Sequence, residues 1–440
     1  MRPDKASTDF ADHGSGEEAL SVAIGSERPS ARLVAGGAIG NMLEWYDFGV
    51  YGFLASVFAR NFFPDSSAFI GLLSAFGMFA ASFLMRPLGG ILFGRVGDRL
   101  GRRQALFLSA MMMTLSTVSI GLLPTAASVG AMAPVLLLAL RLLQGISVGG
   151  EQAAAVVFLS EAAPPRRRGL LASLSVVGAT LGTLLGSAVG ASVASLLSPQ
   201  DMADWGWRVP FLLGLVLGGA ALILRAGKGE PEPDRTATPK APLREAVRAQ
   251  GRQILHAMLI VVAEGNVFYL AFVFLATYMQ KVDGLPLAKS LQMSVFGMVV
   301  VLIASPAAAL LSDRIGRKKV LLAALVGLIL CAWPVFRLLS SDNLPQMIAG
   351  QVILALLASC YGGPMPAALC ELFQRRTRCT AYAIAWNCGV GWVGGLTPML
   401  TIYLMHRFDS PMAPAVMVIV LSCVSLAGVL AMTDKSVSPI

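Results

Sequence analysis

Apolar residues run along this chain in stretches far longer than a soluble helix needs. About 20 such residues at 1.5 Å each cross roughly 30 Å of hydrocarbon. Stretches of that kind recur at 32–59, 67–93, 104–124, 131–161, 170–198, 207–225, 253–280, 288–311, 320–340, 346–371, 379–405 and 412–432. The pattern predicts an all-α integral membrane protein with twelve transmembrane helices. One polar segment, Arg225 to Gln253, divides the spans six and six. The expected organisation is a flexible cytoplasmic tail over 1–30, a six-helix bundle over 31–225, a cytoplasmic linker over 226–252, a second six-helix bundle over 253–433 and a tail over 434–440. Within the linker, Arg244, Arg248 and Arg252 recur every four residues. That spacing predicts a short amphipathic helix on the membrane surface, its basic face toward anionic lipid.

Composition removes the soluble alternatives. Hydrophobic residues make up 56% of the 440 positions and charged residues 13%, against about a quarter charged in soluble domains. Mean hydropathy is +0.70. The formal charge of +9 could suggest nucleic acid, but its distribution argues against that partner. Most Lys and Arg fall in the loops after spans 2, 4, 6, 8 and 10, which the positive-inside rule makes cytoplasmic, with both termini on the same side. The first thirty residues lack the basic start and apolar run of a signal peptide. Cys331, Cys360, Cys370, Cys379, Cys388 and Cys423 form no CxxC pair and sit near no His cluster. They are expected to be buried small hydrophobes, with neither disulfide nor metal.

The two halves repeat. GRVGDRLGRR (Gly94 to Arg103) follows span 2 and ALLSDRIGRKK (Ala309 to Lys319) follows span 8. Span 4 ends in FLSEAAPPRRRG and span 10 in LCELFQRRTR. Two six-span halves in parallel repeat imply a transporter with its site near the midplane between them.

These strings resemble the major facilitator superfamily, whose loop 2–3 signature GRVGDRLGRR matches; Ala309 replaces the leading Gly in the second copy. GNMLEWYDFGVYGF, FLMRPLGGILFGRVGDRLGRR, RLLQGISVGGE and WGWRVPF are similar to the metabolite:proton symporters within it, permeases of tricarboxylates, α-ketoglutarate, shikimate, proline and glycine betaine. The resemblance implies the major facilitator fold and a bacterial-type cytoplasmic (inner) membrane. It implies proton-coupled uptake of a small organic acid (a di- or tricarboxylate) or a zwitterionic osmolyte by alternating access. NVFYLAF (Asn266 to Phe272) resembles the osmolyte branch, whereas AWPVFRLL and GGLTP resemble the tricarboxylate branch.

Charges inside the spans are the candidate chemistry, since each costs at least about 2.5–3.5 kcal/mol at the bilayer centre and so marks a cavity. Glu44 lies roughly 18 Å and Asp47 roughly 22 Å into span 1, and Arg141 roughly 15 Å into span 4 from the other side. Asn41, Glu44, Asp47 and Tyr51 share one helix face; Arg141, Gln144 and Glu151 share another. A guanidinium near acids can grip a carboxylate or make proton binding depend on occupancy. Glu44, Asp47 and Glu151 are the expected proton-coupling acids, and Arg141 is their conditional partner or the substrate anchor. The bland alternative is a fixed ion pair that sets helix packing. Glu264, Asn266 and Tyr269 on span 7, and Tyr361, Trp386 and Asn387 on spans 10 and 11, are further candidates to line the substrate site. An acid surplus around one Arg suits a zwitterion better than a polycarboxylate.

The superfamily resemblance also implies a cytoplasmic clasp of Asp98, Arg102 and Glu161, with Asp313, Arg317 and Glu371 as repeat equivalents. Arg86, near the cytoplasmic end of span 2, is expected to join it. Neither GxxxxGK[ST] nor GxGxxG occurs on a strand–helix pattern, so no cofactor is expected and a proton gradient is the energy source. The expected partners are a small-molecule substrate, protons and the bilayer, for a monomer. The alternatives are a proton-antiporting exporter and, more remotely, a membrane sensor on a transporter scaffold. No nucleophile–base set or metal cluster suggests an enzyme.

Overall fold

The computed structural model describes residues 31–149, 151–226 and 242–434, the side chains of 31–40, 97, 98, 102, 103, 151, 165, 224–226 and 242 lying outside that description. All regular elements among the described residues are helical. The first half comprises α1 (Ala31–Phe53), α2 (Ala55–Phe62), α3 (Ala68–Leu100), α4 (Arg102–Leu122), α5 (Met132–Ser147), α6 (Glu151–Glu161), α7 (Arg168–Leu196) and α8 (Arg208–Ala226). The second comprises α9 (Pro242–Tyr269), α10 (Leu275–Val282), α11 (Leu287–Ile315), α12 (Arg317–Leu339), α13 (Leu344–Gly362), α14 (Met365–Leu372), α15 (Arg378–Trp386), α16 (Val393–Arg407) and α17 (Ala413–Ala431).

Ten helical stretches among the described residues are long and apolar enough to span a bilayer, or eleven if the pair Pro199–Gly206 and Arg208–Ile223, bent by 49°, is one span. The sequence pattern predicts twelve. Helix α1 is not among the ten; Asn41, Glu44 and Asp47 dilute its apolarity. Three predicted continuous spans are broken. The first breaks at Leu54, whose φ of −97° and ψ of 14° leave the helical region. The fourth breaks after Val148 and the tenth at Gly363 and Pro364, where the chain is rich in Gly and Pro. The surface helix of the linker does not stand apart. It runs into span 7 as part of α9, with a kink at Gln250 (φ −134°, ψ 22°).

Burial is arranged inside out relative to a soluble protein. Leu115, Val216, Ile303 and Leu330 are more than half exposed, whereas Asp47, Arg141, Gln144, Asn266 and Gln351 are fully buried. Lipid solvates the apolar rim, and every buried polar group must find its partners inside. Helix α3 packs on α5 at close range: a side chain at Gly145 would strike the Ser82 carbonyl, and one at Gly149 the backbone of Gly90. This approach holds Arg86 and Arg141 on neighbouring walls. Between the halves, α7 packs along α11, and α3 along α16.

The two signature loops share one conformation. Gly101 (φ 96°, ψ 149°) and Gly316 (φ 100°, ψ 149°) each turn the chain into the next helix. Only Gly tolerates this positive φ without cost. The WGWRVPF string also has a structural task. Arg208 donates to the Gly121 and Leu123 carbonyls at 3.1 and 2.5 Å, capping the end of α4, while its guanidinium lies 4.4 Å from the Trp207 ring centroid. A cation is well placed at that carbonyl-rich terminus.

Candidate transport site

Two acid–arginine pairs occupy the middle of the first half. Asp47 accepts from Arg141 at 3.2 Å and from the Thr117 hydroxyl at 2.8 Å. Arg141 also donates to Gln144 at 2.7 Å and to Ser82 at 3.1 Å, and Gln144 donates to Thr117 at 3.1 Å. The guanidinium lies 4.2 Å from the Tyr51 ring centroid. Both charges are fully buried, so each survives only because the other and this polar net replace water.

The second pair joins Glu44 to Arg86 at 3.1 Å, both nearly inaccessible. Arg86 is flanked by the Phe83 and Phe48 rings at 4.2 and 4.6 Å. The sequence reading groups Arg86 with the clasp; the structure places it beside Glu44 instead. Helix α3 continues to Leu100 rather than ending near 93. Arg86 therefore sits about 21 Å inside the Arg-rich end, at 1.5 Å per residue. Arg141 correspondingly meets Asp47, and Glu44 has its own cation.

A pocket opens at this second pair. Glu44, Arg86, Val148, Gly149, Gln152 and Ala153 form its first-half wall; Ala383, Trp386 and Asn387 form the other. It is narrow in this conformation, with room for about one water molecule. Asn387 donates across it to the Gly149 carbonyl at 3.3 Å, and Trp45 donates to Gln152 at 3.3 Å. Among the described residues, Trp386 Nε1 and Arg86 Nε at the pocket wall, and Tyr269 Oη and Tyr382 Oη nearby, find no hydrogen-bond partner. Unmet donors around a cavity suit a polar ligand or water.

The other sequence candidates divide. Tyr269 is buried in an aromatic cluster with Trp45, Phe79, Phe83 and Phe268. Glu264 is buried near it and makes no hydrogen bond or ion pair with a described residue. Asn266 donates to Thr397 at 3.2 Å. Tyr51 and Tyr361 spend their hydroxyls on the carbonyls of Ala75 and Ile260 at 3.0 and 2.5 Å. Asn41 is buried beside Gly178. Glu151 begins α6, but its side chain lies outside the described residues. Local geometry widens near these positions, with runs of π-helix at Leu270–Phe274 and Asn387–Trp392, a feature frequent at functional sites.

At the Arg-rich end, charges join the halves in a crossed pattern. Arg168 of the first half meets Glu371 of the second at 3.3 Å. Arg378 of the second half meets Glu161 of the first at 2.5 Å. Asp313 accepts from the backbone N–H groups of Gly169 and Leu170, at 2.9 and 3.0 Å, where α7 begins. Arg317 pairs with Asp313 at 2.6 Å and Glu371 at 3.4 Å. Asp98 and Arg102, the first-half copies, have side chains outside the described residues. Arg168 and Arg378 were not singled out from sequence, although they stand 210 residues apart, as Glu161 and Glu371 do; that shared offset was the available signal. Tyr382 stands in an apolar run that reads as packing, and Trp45 lies beside Tyr46 between the acids Glu44 and Asp47, which draw the reading to themselves. The opposite end is shut too. Ser56 donates to Gln280 at 3.1 Å and Phe69 stacks on His406 with centroids 3.8 Å apart.

Residues 33–227 match the family described as "Sugar (and other) transporter", and 288–439 match "Major Facilitator Superfamily". A proline/betaine transporter of Salmonella typhimurium is 31% identical over 93% of this chain and 84% of its own length. The ectoine/proline transporter ProP of Corynebacterium glutamicum is 33% identical over 92% and 84%, and a putative proline/betaine transporter of Staphylococcus aureus is 34% identical over 93% and 89%. Among solved structures, a D-xylose–proton symporter superposes with a TM-score of 0.71 at 20% identity, over 90% of this chain and 96% of that one. The human organic anion transporter MFSD10 gives 0.61 at 16%, over 92% and 99%.

Proposed function

The chain belongs to the major facilitator superfamily and is a multi-pass transporter of the bacterial inner-membrane kind, not an enzyme; we propose that it imports a small zwitterionic osmolyte with protons by alternating access. Twelve spans with both termini cytoplasmic complete this reading, and no cofactor is needed beyond the proton gradient. The Arg-rich end is then the cytoplasmic one.

The carrying observation is the fully buried Asp47–Arg141 pair, three residues along α1 from Glu44, which lines a pocket shared by both halves. Proton binding to Asp47 removes the charge that Arg141 faces, and the guanidinium must then find another acceptor in its net. Protonation and rearrangement of the first half are thereby linked, which is what coupling requires. Glu44 and Glu151 are the accessory acids of this step. Arg86, whose Nε–H finds no acceptor among the described residues, is the group that would meet a substrate carboxylate, with Glu44 balancing its charge.

Charge balance selects the substrate class. Each central Arg already has an acid, and Glu264 adds another. A di- or tricarboxylate would bring surplus negative charge to a pocket with no free cation among the described residues. A zwitterion brings none. The relatives whose names give a substrate, the proline, betaine and ectoine transporters, agree with this choice.

The crossed ion pairs hold the cytoplasmic end shut. Charge-assisted hydrogen bonds of about 1.5–3 kcal/mol each can be broken when the halves rock and remade afterward. The test is uptake by proteoliposomes with an imposed inward proton gradient. Proline, glycine betaine and ectoine should accumulate, while citrate and α-ketoglutarate should not. Accumulation of a carboxylate alone, or of solute against the gradient direction, would sink the reading.

A further inference from the structure

Among the described residues, Glu264 is the one central acid that neither ion pair uses. It stands on α9, nine-tenths buried, with no hydrogen bond or ion pair to a described residue. Its carboxylate is pressed against Gly362 at the end of α13. A methyl group placed there would lie 2.7 Å from Oε1 and 2.9 Å from Oε2. The absence of a side chain at Gly362 is what lets the carboxylate occupy this position.

The surroundings are aromatic. Tyr269, Tyr361 and Tyr382 all lie within electrostatic reach of Glu264. Tyr269 is also within electrostatic reach of Arg86 and Glu44, and its ring packs edge-on against Phe83, which itself lies beside Arg86. Trp45 stacks on Tyr269 at 6.2 Å and 28°, and Tyr382 stacks on Trp386, a pocket wall residue, at 5.7 Å and 15°. Tyr269 Oη, Tyr382 Oη and Trp386 Nε1 are buried without hydrogen-bond partners. A carboxylate without a cation, set among ring faces and unmet polar atoms, has the chemistry of a site for an organic cation.

We propose that Glu264, with Tyr269, Tyr382 and Trp386, forms a cation subsite that takes the ammonium end of a zwitterionic substrate, while Arg86, on the first-half wall of the pocket, takes its carboxylate. The inference rests on the reading of the chain as a zwitterion importer and adds to it the residue that reads positive charge. The two ends of the substrate then bind different halves of the protein: Arg86 is on α3 and Glu264 on α9. A molecule carrying both charges draws the halves together around it. A molecule carrying one charge engages one half only.

The test uses glycine betaine and 3,3-dimethylbutanoate, in which a carbon replaces the quaternary nitrogen. The two share shape and carboxylate and differ by the positive charge. The wild-type protein in proteoliposomes should take up labelled betaine, with the carbon analogue competing at least tenfold more weakly than unlabelled betaine. Glu264→Gln should raise the betaine KM at least tenfold and bring the two competitors within about threefold. Gly362→Ala, which displaces the carboxylate without removing it, should move the KM the same way, and Glu264→Asp should restore part of the discrimination. A merely structural role for Glu264 would depress transport without changing the ratio of the two competitors. The proposal falls if Glu264→Gln keeps the wild-type discrimination. It falls equally if that variant binds betaine normally but loses accumulation, which would make Glu264 a proton carrier. If the wild-type protein takes up no zwitterion, the importer reading falls as well, a result separable from the first two.

Discussion

The two sets of buried ion pairs differ in what they connect. Asp47–Arg141 and Glu44–Arg86 each join helices of the first half, and each pair is shielded from solvent on all sides. Arg168–Glu371 and Arg378–Glu161 join opposite halves, and Glu161 is one-third exposed. Rocking one half against the other must break the second set and can leave the first intact. Under the proposed function, the central pairs would respond to what enters the pocket, a proton or a solute, and the peripheral pairs to the angle between the halves. Similar chemistry would then serve as a detector in one place and a latch in the other, with position deciding which.

The sharpest way to break the comparison is to neutralise one partner in each set. Asp47→Asn leaves Arg141 buried without an anion, and losing one partner of such a pair costs about 3–5 kcal/mol. Its thermal stability in detergent should drop well below wild type, with the double variant Asp47→Asn/Arg141→Gln recovering part of the loss. Equal stability of Asp47→Asn and wild type would show that the pair is not the buried unit described here. Arg378→Gln should cost the fold much less, because its partner Glu161 is open to water. Its effect should appear in the conformational equilibrium. Spin labels on α6 and α15 should show a longer-distance population grown by about tenfold or more, the equivalent of about 1.4 kcal/mol. An unchanged distance distribution would remove Arg378 from the latch.

The smallest effect lies at the far end. Asp283, in the turn after α10, is pushed up to about 6 by burial and then by the neighbouring charge of Asp342. An acid raised in the folded state favours folding while protonated, so its penalty grows as pH rises through about 6. Asp283→Asn should therefore be slightly more stable than wild type at pH 7.5, with the gain shrinking as pH falls through 6. A gain independent of pH would assign the effect to something other than its charge.

The architecture was largely legible in the sequence, because lipid solvation forces apolar runs of a fixed length and the duplicated GDRLGRR and SDRIGRK strings reveal the halves. Of the breaks within spans, those after Val148 and at Gly363 carry a readable Gly- and Pro-rich signal, whereas Leu54 carries no helix-breaking signal of its own. Span depth misled in one place. Arg86 was assigned to the clasp because the apolar run ends near 93, while the helix itself continues through polar residues to Leu100. Seven more residues of helix move a side chain about 10 Å, enough to change its partner from a loop acid to Glu44. Arg141 lay at the right depth, but depth could not choose between Glu44 and Asp47. Helix azimuth decided it, and that depends on the close approach of α3 and α5 at Gly145. Tyr382 gives no signal in one dimension, since an aromatic in an apolar run reads as lipid-facing or core alike.

The central claim is that solute and proton move together through the Asp47–Arg141 pair. It is tested most directly by following external pH in weakly buffered proteoliposomes when glycine betaine is added without an imposed gradient. Wild-type protein should alkalinise the outside as betaine enters, and Asp47→Asn should exchange labelled for unlabelled betaine with no pH change. Betaine uptake by wild-type protein without proton movement, or the same alkalinisation in Asp47→Asn, would contradict the account.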